Sequence, residues 1–279
     1  DLMLWLQGVN VSKKFDVEID EIDVCPVQIQ GPLSEDLMAK LAGEELREIP
    51  YYGLMETNIE GADVVISQTG FTGEKGYEIY VRDAHENAEI VWNAVLKAGE
   101  EFGLMVIAPA HHRRIAAGIL SWGQDLDLET SPFQVNLSYQ VPRNKEADYI
   151  GKEELERQRA VIDAGDFPFK MRMVGLTLGG KEITDYAPDF WLIADTDGND
   201  MGYITSPWWS PELNTNIALG WVPHTSSEIG TKLQVRLPDE YSESSGVPVE
   251  GEVVDVPFRE SVTPNKREVQ KAKGLDYAD

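Results

Sequence analysis

From Met171 to Val256 the sequence breaks into short runs rich in β-branched and aromatic residues, each bounded by Gly, Pro, Asn or Asp. The runs are Met173–Leu178, 190–194, Met201–Thr205, 217–222, 232–237 and 250–256. Such runs are too short to be helices and lie too close together to leave room for crossover helices. They predict a small β-barrel or sandwich, a separate domain over 171–264. The N-terminal half instead mixes strand-like and helix-like segments, so the expected class is α+β.

With 279 residues the chain can bury more than one core, and 42% hydrophobic residues with seven tryptophans argue against disorder. No apolar run reaches membrane-spanning length. The balance of 49 acidic against 24 basic residues, a net charge of −25, would repel nucleic acid and anionic membranes; neither is expected as a partner. Acidic residues are dispersed through every segment, which suits a protein kept soluble in high salt, the alternative being an ordinary acidic cytoplasmic enzyme. Cys25 is the only cysteine, so neither an internal disulfide nor a thiolate cluster can form, which fits a reducing cytoplasm. Its neighbours Val24, Pro26 and Val27 mark it as an inert core cysteine on a strand. The chain opens without Met on an apolar run, Asp1–Leu6, with no basic segment before it; this reads as a strand in a fragment beginning inside a fold.

The stretch Gln68-Thr69-Gly70-Phe71-Thr72-Gly73-Glu74-Lys75-Gly76-Tyr77-Glu78 carries the clearest chemical signal. Strand-like flanks at 63–67 and 77–81 enclose a glycine-rich turn. Alternation sends Glu78 to the face opposite Tyr77 and Ile79. A carboxylate held on a strand can accept a pair of N–H donors from a flat ligand; the plainer alternative is a hairpin glutamate facing water.

Elsewhere, Leu2–Val11, Asp16–Ile19 and Val24–Gln30 read as strands. Ser34 is placed to cap a helix through Gly43, and Asp83 one running to Ala98. Pro109 suits the first turn of a helix containing His111, His112, Arg113 and Arg114. Trp122 to Pro132 forms a long irregular connection of the kind that lines sites, and Gly151–Leu155 starts another helix. Adjacent histidines on a helix point about a quarter-turn apart and do not share one metal, so no metal site is expected. Arg113 and Arg114 read either as surface ion pairs or as an anion-capturing fork. Trp122, Trp208 and Trp209 are either core residues or faces for an onium cation.

Taken in order, this hairpin, Arg114-Ile115-Ala116-Ala117-Gly118, Gly123-Gln124-Asp125-Leu126-Asp127-Leu128-Glu129-Thr130-Ser131-Pro132 and Tyr149-Ile150-Gly151-Lys152-Glu153 resemble the T-protein (aminomethyltransferase) family of tetrahydrofolate enzymes. Pro26–Pro32, Trp122-Gly123 and Ile204–Pro211 are most similar to its dimethylsulfoniopropionate demethylase branch. The resemblance implies a three-domain cloverleaf, here lacking its N-terminal part and ending in a β-barrel. Residues 1–125 would be the remainder of two interleaved folate-binding domains. Residues 126–170 would complete the second, 171–264 would form the barrel, and 265–279 a charged tail.

It further implies tetrahydrofolate as cofactor, with Glu78 gripping the pterin, Phe71 beside it, Tyr51 and Tyr52 near the folate, Tyr139 lining the cavity and Arg259 as a C-terminal contact. Trp122 and Arg114 would serve the substrate; no protein nucleophile and no metal is implied. Two departures bear on the reaction. Ala110 stands where glycine-cleavage members carry an arginine, and Ala116 where they carry an acid. Methyl transfer from a small sulfonium or methylated amine is therefore the first expectation and aminomethyl transfer the second. A non-catalytic folate-binding module, or one lobe of a split assembly, is the rival from another class. Implied partners are folate, a small methyl donor, and a further N-terminal lobe or a second copy.

Overall fold

The computed structural model describes residues 2–143 and 145–259. They divide into two compact units, one of residues up to Gly70 with Lys75–Met105, the other of Phe71–Glu74 with the described residues from Val106 onward. The charged tail expected at 265–279 lies outside the described residues.

The first unit contains helix α1 (Leu2–Val9), strand β1 (Val24–Gln30), helix α2 (Ser34–Ala42), strands β2 (Leu54–Ile59), β3 (Ala62–Ser67) and β4 (Gly76–Arg82), and helix α3 (Ala84–Gly99). The strands form one antiparallel sheet in the order β1-β4-β3-β2. Alternation places Ile29, Ile66, Tyr77, Ile79 and Val81 on one face, buried with Leu37 and Met38 of α2 and Val91 and Val95 of α3. Each of these side chains removed from water contributes about 1.5–3 kcal/mol, so register is strongly set: a one-residue slip would turn the apolar row outward. On the opposite face Gln28, Glu78 and Ser67 form one cross-strand row.

Several local expectations fail here. Leu2–Val9 is a helix rather than a strand, and none of its residues is buried. Its first seven residues lack β-branching, and a short apolar run does not distinguish the two states by periodicity. Residues 16–19 form no strand. Ser34 is the first helical residue of α2, Leu33 being the cap, and its hydroxyl donates instead to the Lys75 carbonyl at 3.0 Å. Asp83 does stand at the N-cap of α3, with φ 49° and no side-chain capping bond. Cys25 lies on β1 but is only half-buried.

The second unit holds helices α4 (His111–Ala116) and α5 (Lys152–Asp163), and strands β5 (Met171–Leu178), β6 (Trp191–Ala194), β7 (Asp200–Ser210), β8 (Thr215–Pro223), β9 (Lys232–Val235) and β10 (Val249–Val254). These six strands close into a barrel in the order β10-β5-β8-β7-β6-β9. Its interior is filled by residues such as Leu176, Ile193, Ile204, Ala218, Val222, Val235 and Val253. Strand β8 is buried on both faces: Ile217, Leu219 and Trp221 point outward and pack with Ile115 and Ala116 of α4 and with Val135. This outer packing gives the irregular stretch between α4 and α5 a wall to fold against.

Among the described residues no helix is long and apolar enough to cross a membrane, and no group of three or more His, Cys, Asp or Glu is placed to hold a metal ion.

Candidate functional site

Glu78 lies midway along β4, flanked in register by Gln28 of β1 and Ser67 of β3. Its Oε1 accepts from Gln28 Nε2 at 2.9 Å. Its Oε2 accepts from the Thr69 hydroxyl and, at a long 3.3 Å, from the Tyr80 phenol. Thr69 has spent its one proton on Glu78, so Ser67, 2.5 Å away, donates to Thr69. Burial, and then the Glu78 charge, raise the Tyr80 phenol above its ordinary value, keeping it a donor. A carboxylate offers about four acceptor positions; three are taken here, leaving one on Oε1.

The glycines of the loop have a tighter purpose than the turn alone. A Cβ on Gly70 would come within 2.1 Å of the Gln30 side chain, and one on Gly76 within 2.4 Å. The Gln30 amide passes between them and donates to the Thr69 and Tyr77 carbonyls at 3.1 and 3.4 Å. Gly70 and Gly76 therefore make room for a protein side chain. Tyr51 and Tyr52 pack at 4.4 Å between ring centroids in the turn before β2. That turn extends the β2–β3 ladder: Tyr52 N donates to Gln68 O at 3.2 Å and Gln68 N to Gly53 O at 3.1 Å. The tyrosine pair thus sits in the same unit as Glu78, tied to the residue preceding Thr69.

The other expected residues belong to the second unit. Phe71 has the Arg114 guanidinium 6.0 Å from its ring centroid. Gly73, at φ 73°, fits only because it lacks a side chain, since a Cβ would lie 2.4 Å from Ala117 Cβ. Arg259 donates to the Thr72 carbonyl at 3.1 Å and pairs with Glu74 at 2.7 Å, its side chain 11% exposed. Its Nε is buried without a hydrogen-bond partner among the described residues. Arg113 also pairs with Glu74, at 3.3 Å, which accords with the ion-pair reading of the two offered for it. Tyr139 lies half-buried in a single 3-10 turn, Ser138–Gln140. Trp122 is 65% exposed, in a turn bridged to Leu126.

Arg114 is the largest fully buried side chain among the described residues. Its five N–H donors reach His111 Nδ1 (3.4 Å), Ile119 O (3.1 Å), Asp125 Oδ2 (2.7 Å), Gln124 Oε1 (3.1 Å) and Ser206 Oγ (2.8 Å). The substrate-binding role expected of Arg114 does not fit this arrangement, because no donor remains for a substrate anion. Asp125, which sequence reasoning passed over, is its counter-ion. The carboxylate also accepts from Ser121 N at 2.8 Å and from the Thr205 and Ser206 hydroxyls at 2.6 and 2.5 Å.

Two consecutive strand residues can both point at Asp125 because β7 shifts register between Ile204 and Ser206. In a regular strand one of them would face away. His111 stacks on Trp208 at 5.4 Å, meets Tyr186 edge-on at 5.0 Å, and stays below its ordinary value of 6.5 through burial and then the Arg114 charge. Because its Nδ1 accepts, the neutral ring carries its proton on Nε2.

Residues 1–145 match the family model of the GCVT N-terminal domain, and residues 172–258 that of the glycine cleavage T-protein C-terminal barrel domain. The chain belongs to the glycine cleavage T-protein family. It is 34% identical over 239 residues to the dimethylsulfoniopropionate demethylase of Ruegeria pomeroyi, covering 86% of this chain and 62% of that protein. It is 29% identical over 270 residues to an aminomethyltransferase of a Geobacillus species (92% and 69%) and 32% identical over 238 residues to one of Clostridium botulinum (84% and 60%).

The solved aminomethyltransferase T of the glycine cleavage system from Bartonella henselae shares the fold at a TM-score of 0.74 and 22% identity, over 94% of this chain and 67% of that one. The chain thus spans only 60–69% of the length of these relatives. The T-protein barrel match falls on β5–β10, and the N-terminal match holds both the Glu78 hairpin and the Arg114–Asp125 pair.

Proposed function

We propose that this T-protein chain serves tetrahydrofolate-dependent one-carbon transfer, with Glu78 as the residue that orients the cofactor. The observation carrying the reading is a carboxylate fixed mid-strand by Gln28, Thr69 and Tyr80 on the sheet face opposite the core. This acceptor fits the flat N–H donor pair of a reduced pterin, and charge-assisted bonds of this kind are both strong and directional. Its free position on Oε1 takes one donor, and the long Tyr80 bond on Oε2 is the one that yields to the second. Tyr51 and Tyr52, tied to Gln68, are proposed to contact the cofactor in the same unit; Phe71, Tyr139 and Arg259 are the further contacts that the family resemblance implies. When bound, tetrahydrofolate supplies the N5 lone pair that accepts the one-carbon unit. The chain's own residues orient and exclude water, and none is needed as a nucleophile.

Sulfonium demethylation is the preferred reaction, favoured by the 34% identity to a dimethylsulfoniopropionate demethylase and by Ala110 and Ala116. Trp122, 65% exposed, is proposed to face the methyl donor. Aminomethyl transfer is the second reading, supported by the relatives named aminomethyltransferase. A cytoplasmic location and an acidic surface tuned to saline surroundings are proposed with it; unfolding at low salt tests the latter. Incubation with tetrahydrofolate and dimethylsulfoniopropionate, followed by NMR for 5-methyl-tetrahydrofolate, separates the reactions, and binding without turnover of any donor would favour a folate-binding module. Calorimetry tests the cofactor reading itself: Glu78→Ala should lose about 1–3 kcal/mol of tetrahydrofolate affinity, and unchanged binding would sink it.

A further inference from the structure

The side-chain amide of Gln28 is half used. Its Nε2 donates to Glu78 Oε1, and because a carboxylate only accepts, this fixes which end of the amide faces Glu78. Among the described residues, Gln28 Oε1 takes no hydrogen bond, and the side chain is exposed on the free face of the sheet. An unspent acceptor therefore stands beside the one open position on Glu78, both held at one rung of the β1–β4 ladder, where Gln28 and Glu78 are register partners.

We propose that Gln28 is a specificity residue for the cofactor ring: it accepts the second proton of the ring's exocyclic amino group, whose first proton goes to Glu78. This rests on the proposed tetrahydrofolate site and adds a third donor to the pair that Glu78 reads. A ligand matching the row must be flat and carry three N–H donors along one edge, two of them on one amino nitrogen. That pattern describes a 2-amino-pyrimidinone ring such as a pterin and excludes rings that lack the amino group. A hydrogen-bonding site discriminates best against an analogue that leaves its polar groups unpaired.

Two substitutions separate reading the ligand from merely steadying Glu78. Gln28→Met removes both the donor and the acceptor, whereas Gln28→Lys keeps a donor for Glu78 and removes only the acceptor. Gln28 is exposed, so both variants should fold, which circular dichroism and thermal melting check. Calorimetry would use tetrahydrofolate and its analogue carrying methyl in place of the 2-amino group. Both variants should bind tetrahydrofolate about three- to tenfold more weakly than the parent and bind the analogue as the parent does.

Recovery of parental affinity in Gln28→Lys, or an equal loss for both ligands, would overturn the proposal and leave Gln28 as a support for Glu78 alone. Glu78→Ala, run beside them, distinguishes the two failures. If it too binds tetrahydrofolate normally, the cofactor site itself is misplaced; if it binds weakly while the Gln28 variants do not, only the role of Gln28 falls.

Discussion

Arg114 and Asp125 meet at 2.7 Å with side-chain exposures of 1% and 0%, in the second unit of the protein. Ion pairs so deeply buried contribute little net energy, because desolvation offsets attraction, yet breaking one strands an uncompensated charge. Asp125 also holds Ser121 N, and Trp221 Nε1 donates to the Asp125 carbonyl at 3.0 Å. The pair therefore fixes the course of the chain on either side of Trp122. Asp125→Asn should cost about 3–5 kcal/mol in urea unfolding, and Ser206→Ala about 1–2 kcal/mol. A loss below about 1 kcal/mol for Asp125→Asn would remove the pair from that role.

His111 and His112 both sit below their ordinary imidazole value, in each case through burial first and neighbouring arginine charge second. Between the lowered native value and the unfolded value the unfolded chain binds more protons, so stability rises with pH across that window and falls on acidification through it. His111→Gln should flatten the slope of unfolding free energy as the pH falls through and below the unfolded value of 6.5. An unchanged slope would mean that His111 is protonated without cost in the folded chain.

Tyr80 donates to Glu78 at 3.3 Å, the weakest of the three bonds on that carboxylate. If a ligand displaces it, its removal costs nothing in the complex. Tyr80→Phe should therefore bind tetrahydrofolate as tightly as the parent or up to about threefold more tightly. A tenfold loss would show that the phenol contacts the ligand itself.

Gly76 and Gln30 form a coupled pair, since a Cβ on Gly76 would stand 2.4 Å from the Gln30 Cδ. The Gln30 side chain is flexible enough to move aside, so the cost is that of its lost hydrogen bonds. Gly76→Ala should destabilise by about 1–3 kcal/mol, and adding Gln30→Ala should cost little more. Strictly additive losses in thermal or urea unfolding would show that the two changes act independently.

The elements legible in the sequence were those in which period and punctuation agree. The hairpin of β3 and β4, the placing of Glu78 on the face opposite Tyr77 and Ile79, and the six barrel strands follow from alternation and from Gly, Pro, Asn and Asp at the turns. α1 was misread because Leu-Met-Leu-Trp-Leu carries neither a helical stripe nor a strand alternation. Residues 16–19 alternate as a strand would, but among the described residues they join no strand ladder. Asp125 was hidden because its partners, Arg114, Thr205 and Ser206, are 11, 80 and 81 residues away, and no local pattern records so distant a pairing.

By itself the sequence determined the class of fold and the strand that carries Glu78, because side-chain period and turn chemistry are local properties. Tertiary structure decided how each polar group is used. It spent all five donors of Arg114 on the protein, filled the space at Gly70 and Gly76 with Gln30, and left Gln28 Oε1 unspent beside Glu78. Whether a donor or acceptor remains for a ligand depends on what packs around it, and strand pairing and the β7 bulge settle that only when distant segments meet.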